Sequence, residues 1–431
     1  MIFVGLMCEV FMRSISILML YALVPLFGLG QQQPTGPILL LNDLVAEALR
    51  NNPEILASLH QVDAVHAKVG QAGSLDDPEL TYMREEMPGF RWNEASMQKI
   101  ELMQMFRFPS KLSKETEIAE INAEHSHHEH YEKELEIVAR LKSAYYELWF
   151  VQQSLALNQE NVRLLQQFVS IAKTKFGVGD ASLQDVLKAN VELAKLENQE
   201  TMFQQQEQSA KSMLISILNR QPNDTLGVAS LTDSVVFTLS LDTLRQLALR
   251  SRPMLLHDSL AVEESRAMLS LSKSEYLPDL KLGVQYVTAP MGDFRGWSII
   301  AGISLPFAPW TLAKANSRVE EATATISKSS ATFNASRNMV LSNVGDLYYR
   351  AQSAKQQINS YRTTILPQAR QSLKASITAY QNGRTDFLML IDAYRMLVEF
   401  SMESLMVRMQ CEQAVSELER QVGVPSIVFI K

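Results

Sequence analysis

Cysteine is nearly missing from this chain: Cys8 and Cys411 are the two among 431 residues, too few for a disulfide framework. Met7, ahead of Cys8, is too large for a lipidation site. Glycine is scarce at 17 and aromatic residues reach 8%. With long stretches rich in Gln, Glu, Ala, Leu and Ser, this composition reads as predominantly helical. No Lys/Arg run exists and the net charge is −7, which argues against a nucleic-acid partner. Beyond the N-terminus there is no apolar run of about 18 residues, so no helix there is expected to span a bilayer. A closed β-barrel remains the way such a chain crosses a membrane. There is no Gly-rich phosphate loop, no Ser/His/Asp set and no metal-hydrolase motif. Neither an enzyme nor a cofactor is expected.

The N-terminus has its own pattern. Arg13 precedes an apolar stretch, and Gly28 and Gly30 occupy the −3 and −1 positions ahead of Gln31. Residues 1–30 are expected to be a secretory signal peptide, with Met12 a plausible start. An uncleaved anchor helix is the alternative, which Pro25 and the small residues argue against. A linker spans 31–40.

The rest of the chain repeats itself. Leu41, Leu44, Ala48, Leu49, Arg50 and Pro53 recur as Leu241, Leu244, Ala248, Leu249, Arg250 and Pro253, displaced by 200 residues. Pro78-Glu79-Leu80 answers Pro278-Asp279-Leu280, and Leu112-x-Lys114 answers Leu312-x-Lys314. Two copies of one unit are therefore expected, at 41–222 and 241–425, joined by 223–240 and followed by a tail at 426–431.

Each copy opens with short helices and then gives a strand pair, at 79–87 with 97–108 and at 280–289 with 297–305. Gln98, Ile100, Leu102, Gln104, Phe106 and Phe108 share one face, opposite Lys99, Glu101 and Arg107; Trp297, Ile299, Ala301, Ile303 and Leu305 make a cleaner apolar face. Pro88–Asn93 and Pro290–Gly296 read as turns. Very long helices follow at about 112–176 and 313–381, each ~100 Å at 1.5 Å per residue. Pro367 is expected to break or kink the second. Both end in turns that repeat at an offset of 204, Phe176-Gly177-Val178-Gly179-Asp180 and Tyr380-Gln381-Asn382-Gly383-Arg384. Return helices carry the stripes Leu183, Val186, Leu187, Ala194 and Phe387, Leu390, Ile391, Val398, suited to a helical-hairpin seam.

These residues resemble the outer-membrane efflux protein family, the TolC-like exit ducts of Gram-negative bacteria. The resemblance rests on Asp43-Leu44-x-x-x-Ala48-Leu49-x-x-Asn52-Pro53, Leu277-Pro278-Asp279-Leu280, Ile365-Leu366-Pro367-Gln368-Ala369 and Tyr380-x-x-Gly383, and covers about residues 40–425. Gln104-Met105-Phe106-x-x-Pro109-x-Lys111-Leu112 is most similar to the heavy-metal efflux branch. The resemblance implies a mainly α fold with a small β part. It implies a homotrimer giving four strands per chain to a twelve-stranded outer-membrane barrel, continuous with a periplasmic helical barrel. It further implies outer-membrane lipid, a periplasmic adaptor (membrane-fusion) protein and an inner-membrane RND or ABC pump as partners.

Site candidates follow from the resemblance, each with a plainer reading beside it. Gly177, Val178, Gly179, Asp180, Asn382 and Gly383 are expected at the adaptor-contacting tip, or are merely turn residues. Asp392 falls where the family lines the closed pore with a carboxylate, or is an exposed aspartate favoured by the helix dipole. The family's second acidic position is Met389 here; Asp386 and Asp185 are candidate replacements, with Asp185 paired to Arg384. His125, His127, His128 and His130 form a weak metal candidate against a solvated polar helix, because no closed tetrahedral set arises on one helix. Met83, Met87, Met97, Met103 and Met105 read as gap-fillers rather than metal ligands. Trp92, Trp297 and Trp310 read as interfacial aromatics. The competing architecture is an exported coiled-coil scaffold without a pore. Within the duct reading, metal cations compete with drugs and with type I secretion.

Overall fold

Proline sets the first break in each copy. In the computed structural model, which describes residues 37–85, 97–231, 239–289 and 294–424, α1 (Leu41–Asn51) stops one residue before Pro53 and α2 (Pro53–Ala72) starts on it. The residue before a proline is pushed out of the helical region, and Asn52 adopts φ −67°, ψ 125°. Its side chain then caps α2, accepting from the Glu54 and Ile55 amides, and donates to the Ile217 carbonyl at 2.7 Å. The second copy repeats the break at Arg252, between α5 (Leu241–Ser251) and α6 (Pro253–Ser274), without a side-chain cap. The echoed positions Leu44, Ala48, Leu244 and Ala248 are all buried.

Two short parallel strands, β1 (Ile38–Leu39) and β4 (Val228–Ala229), close the start of the first copy against the linker. The Tyr145 hydroxyl lies between the Leu39 carbonyl (2.8 Å) and the Ser230 amide (2.9 Å). The hairpin strands β2 (Glu79–Glu85), β3 (Met97–Phe106), β5 (Leu280–Ala289) and β6 (Phe294–Ile303) form one antiparallel sheet in that order. The copies therefore join through β3 and β5, where Met103 opposes Gly283. A Cβ on Gly283 would come within 2.8 Å of the Met103 sulfur, so glycine makes room for that side chain. Strand β6 begins three residues before the alternation predicted. Phe294 and Gly296, read as turn from the sequence, pair with Ala289 and Val287.

Register separates the sheet's two faces. Leu80, Leu102, Val284 and Ile299 form one cross-strand row, and Tyr82, Ile100, Tyr286 and Trp297 the next. Both rows are largely exposed, with Trp297 at 74% and Ile299 at 85%. The opposite face carries Lys99 bound to Glu85 at 2.6 Å and Gln285 donating to Glu101 at 3.0 Å. Met83, Met97, Met103 and Met105 share that polar face by strand alternation.

The long helices are α3 (Pro109–Gly177, 69 residues), α7 (Pro309–Ser360) and α8 (Leu366–Gln381). The return helices are α4 (Leu183–Ile217) and α9 (Phe387–Val422). Both α3 and α7 begin a few residues earlier than expected because Pro109 and Pro309 fit the first helical position, where no N–H is needed. Pro367 does not break the helix. A π-helical turn at Tyr361–Ile365 carries the chain into α8, widening the backbone just ahead of a residue that cannot donate to position i−4.

A half-buried ionic knot ties the copies together: Glu132 on α3 receives Arg252 at 2.9 Å and Arg420 at 3.0 Å. Burial is the main influence on Arg252 and holds its guanidinium below the usual range. Gly423 ends α9 at φ 80°, with the Ser251 carbonyl where a Cβ would stand. Among the described residues no helix is long and apolar enough to cross a membrane. Residues 1–30, the tail 426–431, Met87 and Trp92 lie outside the described residues.

Candidate functional site at the paired helical turns

The turns ending α3 and α8 are the same structure made twice. Gly179 N donates to Phe176 O and Asp180 N to Lys175 O; Gly383 N donates to Tyr380 O and Arg384 N to Ala379 O. This is a Schellman ending, which needs a left-handed residue after the helix. Gly179 (φ 82°) and Gly383 (φ 69°) supply it, with open space around both. Gly177 is helical and Asn382 keeps φ −87°, so neither is a left-handed residue. Val178 is 70% exposed, and Gly179, Asp180, Asn382 and Gly383 are exposed beside it.

One hydrophobic cluster holds the two turns together. Phe168 and Ala172 of α3, Val186 and Ala189 of α4, Leu373 and Tyr380 of α8, and Phe387 and Tyr394 of α9 belong to it. Phe168 meets Tyr394 edge-on at 5.8 Å, and Tyr380 meets Phe387 at 5.5 Å. Burial raises both tyrosine hydroxyl pKa values. The return-helix stripes behave unequally. Phe387, Leu390 and Ile391 are buried as the spacing predicts, whereas Leu183 and Leu187 are more than half exposed. Along α4, Leu183, Leu187 and Val191 fall four apart and make an uncovered apolar edge.

The candidate carboxylates divide by role. Asp386 is the N-cap of α9, accepting from the Met389 amide at 3.0 Å. Asp185 completes a capping box with Ser182, its carboxylate receiving the Ser182 hydroxyl at 3.0 Å. The expected Asp185–Arg384 pair does not form; the carboxylate is taken up in the cap instead. Arg384 lines an open groove on α8 with Gln371, Lys374, Thr378 and Asn382. Asp392 is exposed and lies 3.7 Å from Arg395, which reaches across to Glu192 on α4. Lys195 adds a second contact to Glu192 at 3.0 Å. Burial opposes ionisation of Glu192, but the hydrogen bonds from Arg395 and Lys195 outweigh it and hold the carboxyl below the usual range. Met389, exposed at 61%, makes the neighbouring turn apolar.

Glu192 and Arg395 did not stand out in the sequence. Their only signal is charge of opposite sign at nearly equivalent depths of the two return helices. The histidine run also resolves differently from its spacing. His127 is exposed, His130 meets Ser58 at 2.8 Å, and His125 is buried against His257, 132 positions away. Among the described residues no three His, Cys, Asp or Glu side chains converge as a metal site. Cys411 is buried near the Ala351 carbonyl.

The sequence model for "Outer membrane efflux protein" matches residues 44–220 and 244–424. The chain is 22% identical over 413 residues to the cobalt-zinc-cadmium resistance protein CzcC of Cupriavidus metallidurans, covering 93% of each. Among solved structures, the outer membrane protein VceC of Vibrio cholerae matches with TM-score 0.74 at 17% identity, covering 89% of this chain and 96% of that one. CusC, whose structures are described in terms of folding and transmembrane channel formation, matches with TM-score 0.76 at 15% identity, covering 89% and 92%.

Proposed function

Because the chain belongs to the outer membrane efflux protein family, with both halves matched, we propose that it is the outer-membrane channel of a tripartite efflux system. Three copies assemble, and the duct passively releases substrates passed on by an inner-membrane pump through a periplasmic adaptor. The observation that carries this reading is the sheet. Four strands with exposed apolar rows and, among the described residues, unpaired β2 and β6 edges are incompatible with lipid as they stand, since every backbone polar group there needs a partner. Closure by further copies satisfies the edges. The uncovered Leu183–Leu187–Val191 edge of α4 supports the same assembly, as a surface for a neighbouring copy.

The turns at Gly179 and Gly383 are the adaptor-facing tip in this reading, with Val178, Asp180 and Asn382 exposed around them. Asp392, clamped through Arg395 to Glu192, contributes the carboxylate ring of the closed pore. Three such carboxylates focus negative potential and favour cations. Metal cations are the substrate class favoured by the resemblance to CzcC; drug efflux and type I secretion are the alternatives. Two measurements test the proposal. Purified protein should be trimeric and form cation-preferring channels in planar bilayers; a water-soluble monomer without conductance defeats it. Deleting the gene should sensitise cells to cobalt, zinc or cadmium; sensitivity to drugs alone removes the metal assignment while leaving the duct intact.

A further inference from the structure

The strongest unexplained cluster lies away from the turns, between α3 of the first copy and α6 of the second. His125 and His128 on α3 face His257 on α6. The His125 and His257 rings meet edge-to-face with centroids 4.3 Å apart and planes at 87°. The His125 side chain is 10% exposed, and its Nε2 has no hydrogen-bond partner although Glu264 Oε2 lies 3.8 Å away. Asn122 engages the other oxygen of that carboxylate at 3.1 Å. His257 is flanked on both nitrogens, by Asp258 at 3.3 Å and by Glu129 at 3.4 Å. A neutral imidazole has one N–H and can donate to only one of these two carboxylates. The groups bearing on the rings are Glu124, His127, His128 and Glu129 from α3, and His257, Asp258 and Glu264 from α6. No lysine or arginine is among them.

We propose that the His125–His257 contact is an acid-released joint between the two repeats. With His125 neutral the helices pack closely, and a proton taken up there loosens them. Desolvation is the first cause, because the His125 ring is buried and its Nε2 has no hydrogen-bond partner in the protein. The adjacent His257 acts in the same direction. Glu264, Glu129 and the Leu260 backbone carbonyl oppose it, yet the net effect holds the His125 imidazole below its ordinary value of 6.5. Burial likewise lowers His128. A base whose folded value is depressed contributes its full stability above the unfolded value and loses it as pH falls from there through the folded value. The joint is therefore tight at neutral pH and weakens below about pH 6.5. This holds whether or not the chain serves as a duct.

Hydrogen–deuterium exchange on the intact protein in detergent, corrected for intrinsic rates, tests it at pH 7.5 and pH 5.5. Peptides covering residues 118–130 and 255–266 should exchange several-fold faster at the lower pH, reversibly and more than peptides from the α3–α4 turn. His125→Phe keeps a ring against His257 but takes no proton, and should reduce the acid effect to that of the turn peptides. Should that variant not fold, His125→Gln, which also takes no proton, carries the same expectation. His127→Phe, at an exposed imidazole, should leave the acid response unchanged. An undiminished acid response in whichever of His125→Phe and His125→Gln folds overturns the proposal, as does a wild-type protein with no local response, or loss of the response in His127→Phe.

Discussion

Lys111, in the first turn of α3, donates to both carboxylate oxygens of Asp279, at 3.0 and 2.9 Å, across 168 positions of sequence. The Phe108 amide donates to the same carboxylate at 2.8 Å. The foot of the second hairpin thus holds the point where the first hairpin turns into its long helix.

Lys111 is 6% exposed in its side chain, so removing its partner strands a buried charge. Asp279→Ala should destabilise by about 3 kcal/mol, while Lys111→Met, which removes the charge as well, should cost less. Thermal unfolding of the two variants in detergent checks the order; equal losses would assign the pair a packing role only.

The three left-handed glycines among the described residues differ in surroundings, and their alanine variants should separate. Gly423→Ala meets the Ser251 carbonyl at 2.3 Å and should prevent the α9 end from docking, with loss of folded protein. Gly179→Ala and Gly383→Ala enter open space and carry only the left-handed penalty of about 1–2 kcal/mol each. Expression and melting temperature read the contrast. Bulky β-branched residues at the two turn glycines should also weaken adaptor capture, measured by pull-down with the partner.

Glu192 joins the return helices through Arg395, so Glu192→Gln should raise the resting conductance and Arg395→Ala should raise it more, by also releasing Asp392. Asp392→Asn alone should reduce cation preference with little change in closure. The ion pair has a defined pH window. A carboxyl held below its ordinary value of 4.5 contributes fully above that pH and loses the contribution as pH falls through the folded value. Wild-type conductance should therefore rise on acidification below about pH 4.5, and Glu192→Gln should flatten that rise.

Pro367→Ala restores the missing N–H and removes the ring from the preceding turn. The π turn at Tyr361–Ile365 should revert toward α geometry, with a gain on the order of 1–3 kcal/mol. Unchanged exchange protection around Tyr361 would show that the Tyr361–Glu403 hydrogen bond of 2.7 Å, rather than the proline, maintains the turn.

Much of this architecture was legible in the chain because its signals are local. Pro53 and Pro253 mark helix starts, Gly179 and Gly383 mark helix ends, and the displacement of one copy on the other converts weak strand patterns into a paired prediction. Trp297, Ile299 and Ile303 alternate plainly enough to define a face. What stayed hidden depends on which elements meet. Nothing near His125 points to His257, and nothing near Glu192 points to Arg395, because the meeting is decided by helix packing between copies. Pro367 shows a different limit. Its chemistry predicts disturbance of the helix, but whether the chain kinks or absorbs an extra residue into one turn depends on what the neighbouring helix allows. Asp185 and Asp386 show a third: the family resemblance makes each a candidate pore charge, and the local backbone also uses each as a cap.

The pairing of β3 with β5 has a consequence for how the molecule is made. Helical hairpins can form as soon as their own residues are available, but Met103 waits for Gly283, roughly 180 residues later in synthesis. Contacts at such separation are slow to close. Until the second hairpin arrives, β3 keeps an open edge and an outward row of leucine and isoleucine, the combination most prone to pairing with the wrong chain. The helices thus have a head start on the sheet, and the membrane-facing part is the last to become safe from aggregation.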